Sequence, residues 1–167
     1  MVAITVPENY GEDKHMLTFL SSFANTRLAV AVALGAIPVL SFIHGTVTGS
    51  FRKKANVPYP HCYATVEQCK SNPKAEQFNC AQRAHANFLE NAPQTMLSIL
   101  VAGLKYPNSA AILGGAWTLL RMAYLYGYVY SGKPQGQGRY AGSFFWLCQG
   151  ALWALTVFGF APDLINI

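Results

Sequence analysis

The chain has 167 residues, of which 52% are hydrophobic and 11% are charged, whereas roughly 25% of an average soluble domain is charged. This composition excludes a small soluble enzyme, a disordered tail and a disulfide-stapled secreted module. The net charge of +5 does not indicate a nucleic-acid-binding protein, because the chain has no separate basic soluble domain.

Residues 1–27 mix acidic side chains with a short apolar patch, and they are predicted to form an N-terminal extension with an interfacial helix. Four apolar stretches follow. Each is long enough, at about 1.5 Å per helical residue, to cross a hydrocarbon core of about 30 Å. They cover residues 28–51, 78–104, 109–130 and 140–161. The sequence therefore predicts an all-α, integral membrane four-helix bundle of up-down topology in residues 28–167.

Basic residues concentrate in two of the connections between these stretches. The connection from 55 to 77 and its flanks carry five of them, and the connection before the fourth stretch carries Lys133 and Arg139. By the positive-inside rule, both connections are expected to face the cytoplasm. Prolines in the segment 55–77 predict an irregular loop there, and anionic lipid headgroups are the expected partners of the basic run 52–54.

Cysteine and histidine give no sign of a metal site. The four cysteines form no Cys-x-x-Cys pair, and the four histidines do not cluster at metal-ligand spacing. Most of the cysteines fall on the predicted cytoplasmic side, where free thiols are expected. We therefore predict free thiols and no bound metal.

The second apolar stretch contains polar residues that a lipid-facing helix would exclude. At 100° per residue, Asn87 lies about 40° from Arg83, and Glu90 lies about 20° away on the other side. A helix face with these groups must point into a bundle or a wet cavity. Two interpretations remain open, because Arg83 and Glu90 could hold helices together as an ion pair or could bind a ligand.

The third stretch places Arg121, Tyr124 and Tyr128 within about 60° of one another. Tyrosines near a helix end also form interfacial aromatic belts, which is the alternative explanation. Two polar faces on adjacent helices predict one shared site. Its chemistry suits a ligand with carboxylates for the arginines and an ammonium group for Glu90, such as an amino acid or a small peptide.

Several segments resemble the membrane-associated proteins in eicosanoid and glutathione metabolism. The similarity covers roughly residues 30–160, and within that family it is strongest to the type 3 microsomal glutathione transferases. The segments are Arg83–Pro93 (RAHANFLENAP), Arg52-Lys53-Lys54 with Val57-Pro58-Tyr59-Pro60, Gln77–Cys80 (QFNC) and Arg121–Tyr128 (RMAYLYGY). The N-terminal extension departs from the family pattern.

The resemblance implies a homotrimer that binds glutathione between subunits, near the cytoplasmic face of the endoplasmic reticulum membrane; the mitochondrial outer membrane is the alternative location. It assigns the glutathione backbone and the walls of its pocket to six residues, which are Arg83, Asn87, Glu90, Arg121, Tyr124 and Tyr128. It also implies that His85 and Asn91 stand at the edge of the pocket.

The same resemblance implies which residue activates the glutathione thiol. Arg139 matches the arginine that stabilises the thiolate, and Arg52 is the alternative because it matches an arginine that approaches the thiol region. Without the resemblance, Arg139 could equally be an arginine that reaches out to lipid phosphates. Glutathione is then a co-substrate, and the second substrate is an apolar, lipid-like electrophile or a hydroperoxide.

The implied activity is glutathione transfer, with glutathione-dependent peroxidase and leukotriene C4 synthase-like activity as variants of the same thiolate chemistry. One alternative is a non-catalytic, lipid-binding scaffold of the same fold. A second is a small four-helix channel or transporter, in which Arg83 and Glu90 would line a pore.

Overall fold

The computed structural model of the protein describes residues 10–160, without the side chains of residues 10–13, 17, 19–21, 23 and 24. Five α-helices and one 3₁₀ helix form this part of the chain. They are α1 (Tyr10–Ala55), α2 (Val66–Ser71), α3 (Pro73–Lys105), α4 (Pro107–Tyr130), the 3₁₀ segment (Pro134–Gly142) and α5 (Phe145–Val157). Between residues 10 and 160 there is no β-strand, which confirms the all-α prediction for that range.

The helices occupy the apolar stretches of the sequence. Stretches 28–51, 78–104 and 109–130 lie inside α1, α3 and α4 respectively. Helix α1 begins at Tyr10, so the described part of the N-terminal extension continues into α1 without a break. Pro38 lies inside α1 and does not end it. Residues 1–9 of the extension lie outside the described residues, and its interfacial position stays a prediction.

The fourth helix is shorter than the apolar stretch predicts. That stretch begins at residue 140, whereas α5 begins at Phe145 and ends at Val157. Gln135 and Gly136 have positive φ angles of 54° and 61°, a left-handed conformation that an α-helix cannot contain. Both residues lie in the 3₁₀ segment Pro134–Gly142, which takes up the first residues of the predicted stretch, and α5 begins after it.

The connection from 55 to 77 is more ordered than predicted. Helix α2 begins at a capping box, in which the Thr65 side chain accepts a hydrogen bond from the Gln68 N–H, and the Gln68 side chain accepts one from Thr65. Helix α3 begins directly afterwards, because the Asn72 side chain caps it and Pro73 fits its first turn. In this segment, the capping side chains of Thr65 and Asn72 favour helix formation more than the prolines oppose it.

Helix α1 packs on α3 and α4, and α5 packs on α4 and α3. Large apolar side chains fill the space between them, including the fully buried Phe78, Phe88, Trp117 and Phe145. The C-terminal end of α4 lies beside the N-terminal part of α3, where the Gln77 side chain donates to the Val129 carbonyl at 3.3 Å. Residues 83–90 and 121–128 therefore lie at the same end of the bundle.

By length and composition, the segment Asn25–Ala55 is the one candidate membrane span among the described helices. Helix α5 is apolar but shorter. The apolar stretches of the sequence predict four spans, and α3 departs from that prediction because charged and amide side chains interrupt its apolar surface. Hydropathy by itself thus supports one span in residues 10–160.

Candidate functional site

Arg83, Asn87 and Glu90 form a connected polar cluster on one face of α3, as the helical spacing predicts. Arg83 Nη1 donates to Glu90 Oε1 at 3.0 Å, and Asn87 Nδ2 lies 3.4 Å from Glu90 Oε2. The side chains of Arg83 and Glu90 are 50% and 53% exposed. A ligand can therefore replace the contact between these two side chains while the helix stays folded.

Arg121 extends this cluster from α3 to α4. Its Nη1 donates to Asn87 Oδ1 at 2.7 Å, although the residue is fully buried. Four aromatic rings surround the guanidinium group, with centroids 4.3–5.6 Å from its central carbon. A buried cation is stabilised by such ring faces and by its hydrogen bonds. Within residues 10–160, Nε and Nη2 have no hydrogen-bond partner, so two donor groups of Arg121 are unused inside the bundle.

Tyr124 and Tyr128 continue the site along α4 towards Arg139. The Arg121 guanidinium lies 4.9 Å from the Tyr124 ring, which meets the Tyr128 ring edge-on at 5.6 Å. The Arg139 guanidinium lies 5.4 Å from the Tyr128 ring centroid. The structure thus places these four predicted residues in one continuous row, which runs from the buried cluster to the 3₁₀ segment.

The 3₁₀ segment positions Arg139 through close backbone contacts. Gly138 approaches Gly127 of α4 so closely that a Cβ atom on either glycine would overlap the other's carbonyl oxygen. Arg139 Nη1 donates to the carbonyls of Gln135 and Gly136, both at 3.0 Å, and Nη2 contacts the Tyr140 hydroxyl at 3.0 Å. Because these partners are neutral, the guanidinium keeps its full positive charge at the end of the row.

Arg52 lies in the last turn of α1 and contacts residues outside the row that ends at Arg139. Its Nη1 donates to the His61 carbonyl at 2.6 Å, and its guanidinium lies 4.4 Å from the Tyr59 ring and 4.6 Å from the Phe78 ring. In the single chain, these contacts hold Arg52 against the connection that follows α1. The structure does not bring it into the row that ends at Arg139.

His85 does not join the Arg83 cluster either. It follows Arg83 by two positions, which rotates it about 200° around the helix, and it faces α1 with its ring 6.1 Å from that of His44. His44 is fully buried and stacks on Phe88 at 4.6 Å. Within one chain, His85 therefore lies apart from the Arg83 cluster, on a face of α3 that packs against another helix; its place at the pocket edge stays a prediction.

A second polar group, which the sequence pattern did not predict, lies between α3, α4 and α5. Gln149 is fully buried in α5, where it contacts Asn91 of α3 and Trp117 of α4. Asn91, expected at the pocket edge, is 3% exposed and belongs to this buried group. A glutamine inside an otherwise apolar stretch was the available signal, because buried polar side chains need partners.

The charges of the cluster define what it can bind. Arg83 and Arg121 supply two positive charges and Glu90 supplies one negative charge, which leaves one positive charge in excess. The cysteines at 62, 69, 80 and 148 are free thiols, and no group of three metal-ligating side chains occurs among the described residues. The arrangement suits a small organic anion that also carries an ammonium group.

The fold and the cluster together define an all-helical protein that holds charged side chains between apolar helices. A sequence model described as the MAPEG family matches residues 30–158, and the chain therefore belongs to the MAPEG family, the membrane-associated proteins in eicosanoid and glutathione metabolism. The match spans all of the predicted site residues, from Arg52 to Arg139, and confirms the resemblance at the level of the family. MAPEG proteins are membrane-bound and use glutathione, and they include glutathione transferases, peroxidases and leukotriene C4 synthase.

Proposed function

We propose that the protein is a membrane glutathione transferase similar to the type 3 microsomal enzymes. The observation that carries this proposal is the hydrogen bond between Arg121 and Asn87, because it joins the polar faces of α3 and α4 into one cluster. Half of the Arg83 and Glu90 side-chain surface is accessible in the single chain, so a ligand can reach the outer part of this cluster.

Glutathione matches this cluster in charge and in functional groups. With its thiol protonated, the tripeptide carries two carboxylates and one ammonium group, which gives a net charge of −1. One carboxylate pairs with Arg83, the ammonium group pairs with Glu90, and Asn87 supplies amide hydrogen bonds between them. The buried Arg121 contributes its positive charge through its hydrogen bond to Asn87. Charge-assisted hydrogen bonds of this kind are roughly twice as strong as neutral ones.

The second part of the proposal concerns the thiol. A thiol with a pKa near 8.5 is about 3% ionised at pH 7, and lowering its pKa by two units requires about 2.7 kcal/mol. One guanidinium at about 4 Å supplies roughly 4 kcal/mol at an effective dielectric constant of 20, but only about 1 kcal/mol in bulk water. Arg139 is our candidate because it lies at the end of the row beside Tyr128; Arg52 of a neighbouring subunit is the alternative.

The apolar exterior supports a membrane location and a homotrimer. A groove of about 650 Å³ runs between α1 and α4, and its walls are almost entirely apolar. Small side chains such as Ala29, Ala36 and Gly115 line it beside Val32 and Leu119, which allows a neighbouring helix to approach closely. We propose that copies of the chain pack there in the endoplasmic reticulum membrane, while lipid delivers an apolar electrophile from the side.

The reaction follows from the thiolate. Its sulfur attacks an electrophilic carbon of an epoxide or activated arene, and the epoxide oxygen or a leaving group takes the electron pair. With a lipid hydroperoxide, the sulfur attacks the terminal oxygen, the O–O bond breaks, and the lipid alkoxide leaves and takes up a proton to become the alcohol. The glutathione sulfenic acid that forms reacts with a second glutathione, which gives glutathione disulfide and releases water. The peroxidase activity is therefore a variant of the same proposal.

The test combines unfolding and turnover of the full chain in detergent or nanodiscs. Glutathione at a hundred times its dissociation constant should add about 2.7 kcal/mol to the free energy of unfolding, and an activated chloroarene should give a glutathione conjugate. A glutathione analogue with a methyl group in place of the thiol is the control, because it should stabilise the protein without reacting. Absence of both stabilisation and conjugation would favour the lipid-binding scaffold and overturn the proposal.

A further inference from the structure

Gln149 connects three helices through one side-chain amide. Its Nε2 donates to Asn91 Oδ1 of α3 at 3.1 Å, and its Oε1 accepts from Trp117 Nε1 of α4 at 3.1 Å. Both Gln149 and Trp117 are fully buried. The two bonds use opposite ends of the amide, so the contact has a defined direction.

These bonds extend to the proposed glutathione site and form a ring. Asn91 Nδ2 donates to the Asn87 carbonyl at 2.8 Å, and Asn87 Oδ1 accepts from Arg121 Nη1 at 2.7 Å. Trp117 and Arg121 lie one turn apart on α4, which closes the ring through the helix backbone. Gln149 therefore lies across the ring from the Arg121–Asn87 bond. It joins the same two helices about one helical turn away from that bond.

Pro93 lies in the turns of α3 that these contacts surround. A proline inside a helix has no N–H for the carbonyl four residues earlier, which here is the Leu89 carbonyl. Three polar side chains near Pro93 bond other backbone carbonyls of the same turns, namely Asn91 to Asn87, Gln94 to Glu90, and Thr95 to Asn91. One of these side chains, Asn91, is held in turn by Gln149.

We propose that Gln149 is a positioning residue for glutathione, acting through Asn91 and Trp117 on the Arg121–Asn87 pair. This inference rests on the proposed function, because its ligand is the one assigned there. Gln149 fixes the rotation and register of α3 against α4, so that Arg121 stays bonded to Asn87 where Asn87 meets the tripeptide. It touches neither the thiol nor the electrophile, and its loss acts on binding rather than on the chemical step.

The test is steady-state kinetics of the full-length Gln149→Met variant in nanodiscs, with glutathione as the varied substrate. Methionine has a similar length and removes both amide bonds. We expect KM for glutathione to rise roughly tenfold, as a displaced charge-assisted hydrogen bond would cause, while kcat at saturating glutathione stays within about twofold. If Gln149→Met does not fold, Trp117→Phe removes the indole N–H together with part of the ring, keeps the bond from Gln149 to Asn91, and should change KM in the same direction.

Thr156→Val is the matched control. Thr156 also lies in α5 and also contacts α3, where its hydroxyl lies 3.4 Å from the Ser98 carbonyl, but it takes no part in the ring. We expect the KM of Thr156→Val for glutathione to equal that of the wild type. Each variant is assayed at a temperature equally far below its own unfolding temperature. Equal KM values for Gln149→Met and wild type, or an equal rise in Thr156→Val, would overturn the inference and leave the proposed function intact. A wild type without glutathione turnover would overturn both.

Discussion

Arg121 and Asn87 lie on different helices, and a hydrogen bond of 2.7 Å from Nη1 to Oδ1 joins them. The bond connects a fully buried guanidinium to a cluster whose outer members are half exposed. Ligand binding at the surface of α3 is thereby linked to the interior of α4. Substitutions on either side of this link should separate its contribution to stability from its contribution to glutathione chemistry.

Removing the acceptor from Asn87 should destabilise the fold. In Asn87→Leu, Arg121 loses the bond to Asn87 while it stays buried, and we expect a loss of about 2 kcal/mol in the free energy of unfolding. Asn87→Asp is the control, because it keeps an oxygen for Arg121. Unfolding by denaturing detergent in mixed micelles measures both. A loss below about 0.5 kcal/mol in Asn87→Leu would contradict a structural role for the bond.

The outer ion pair should behave differently. Arg83→Gln should change stability by less than about 1 kcal/mol, because half-exposed ion pairs contribute little. It should nevertheless weaken glutathione binding about tenfold, which lowers the stabilisation at a fixed glutathione concentration from about 2.7 to about 1.4 kcal/mol. Thermal unfolding with and without glutathione tests both values. If the variant loses stability but keeps its response to glutathione, the Arg83–Glu90 pair stabilises α3 and does not bind the ligand.

Arg139 and Arg52 can be distinguished by their effects on the thiol. Arg139→Ala should lower kcat at pH 7 by roughly 25-fold, because a thiol whose pKa rises from about 6.5 to about 8.5 falls from about 76% to about 3% ionised, while the dissociation constant of glutathione changes little. Ultraviolet absorbance of the bound thiolate as a function of pH gives the pKa directly. Arg52→Ala serves as the comparison. If Arg52→Ala raises that pKa and Arg139→Ala leaves it unchanged, the assignment is reversed.

The sequence was sufficient to predict the α3 cluster, because helical spacing alone puts Arg83, Asn87 and Glu90 on one face. It also predicted that α3 and α4 share a site, since buried polar faces must meet each other. In the structure, the hydrogen bond from Arg121 to Asn87 is the contact that joins these two polar faces. Periodicity determines which residues share a face, and the cost of burying charge determines what that face must contact.

Other features could not be predicted because they depend on packing between distant segments. Helical spacing alone separates His85 from the Arg83 face, but the helix that His85 then contacts depends on tertiary packing, and in the structure that helix is α1. The 3₁₀ segment depends on two positive φ angles and on the close contact of Gly138 with Gly127. The partners of Gln149 come from two other helices, at separations of 58 and 32 residues.

The contact between Gly127 and Gly138 gives a fourth prediction. In Gly127→Ala, the new Cβ would overlap the backbone of residue 138, which cannot move aside as a side chain could. We expect the 3₁₀ segment to shift, so that kcat falls with Arg139 displaced while glutathione still binds at the α3 cluster. Gly150→Ala in α5 is the control, because no atom lies within 4 Å of the position that its new Cβ would occupy. Equal activity of both variants would contradict this role for the 3₁₀ segment.

The last prediction concerns the thiols outside the helices that enclose the site. Burial raises the pKa of the Cys69 thiol above its ordinary value, and the nearby Glu76 carboxylate raises it further. A raised pKa leaves less thiolate at neutral pH, and the thiolate is the reactive form. Cys69 should therefore react with iodoacetamide more slowly than the exposed Cys62 at pH 7, and the ratio of the two rates should approach one as the pH rises above the Cys69 pKa.

Peptide mass spectrometry after timed labelling measures both rates in the same sample. Glu76→Gln removes the negative charge, so it should lower the Cys69 pKa and speed its labelling at pH 7 without affecting Cys62. The neighbouring Glu67→Gln variant is a control for the overall change in charge. Faster labelling of Cys69 than of Cys62 at pH 7 would contradict the burial of that thiol, and an unchanged rate in Glu76→Gln would show that burial alone sets its pKa.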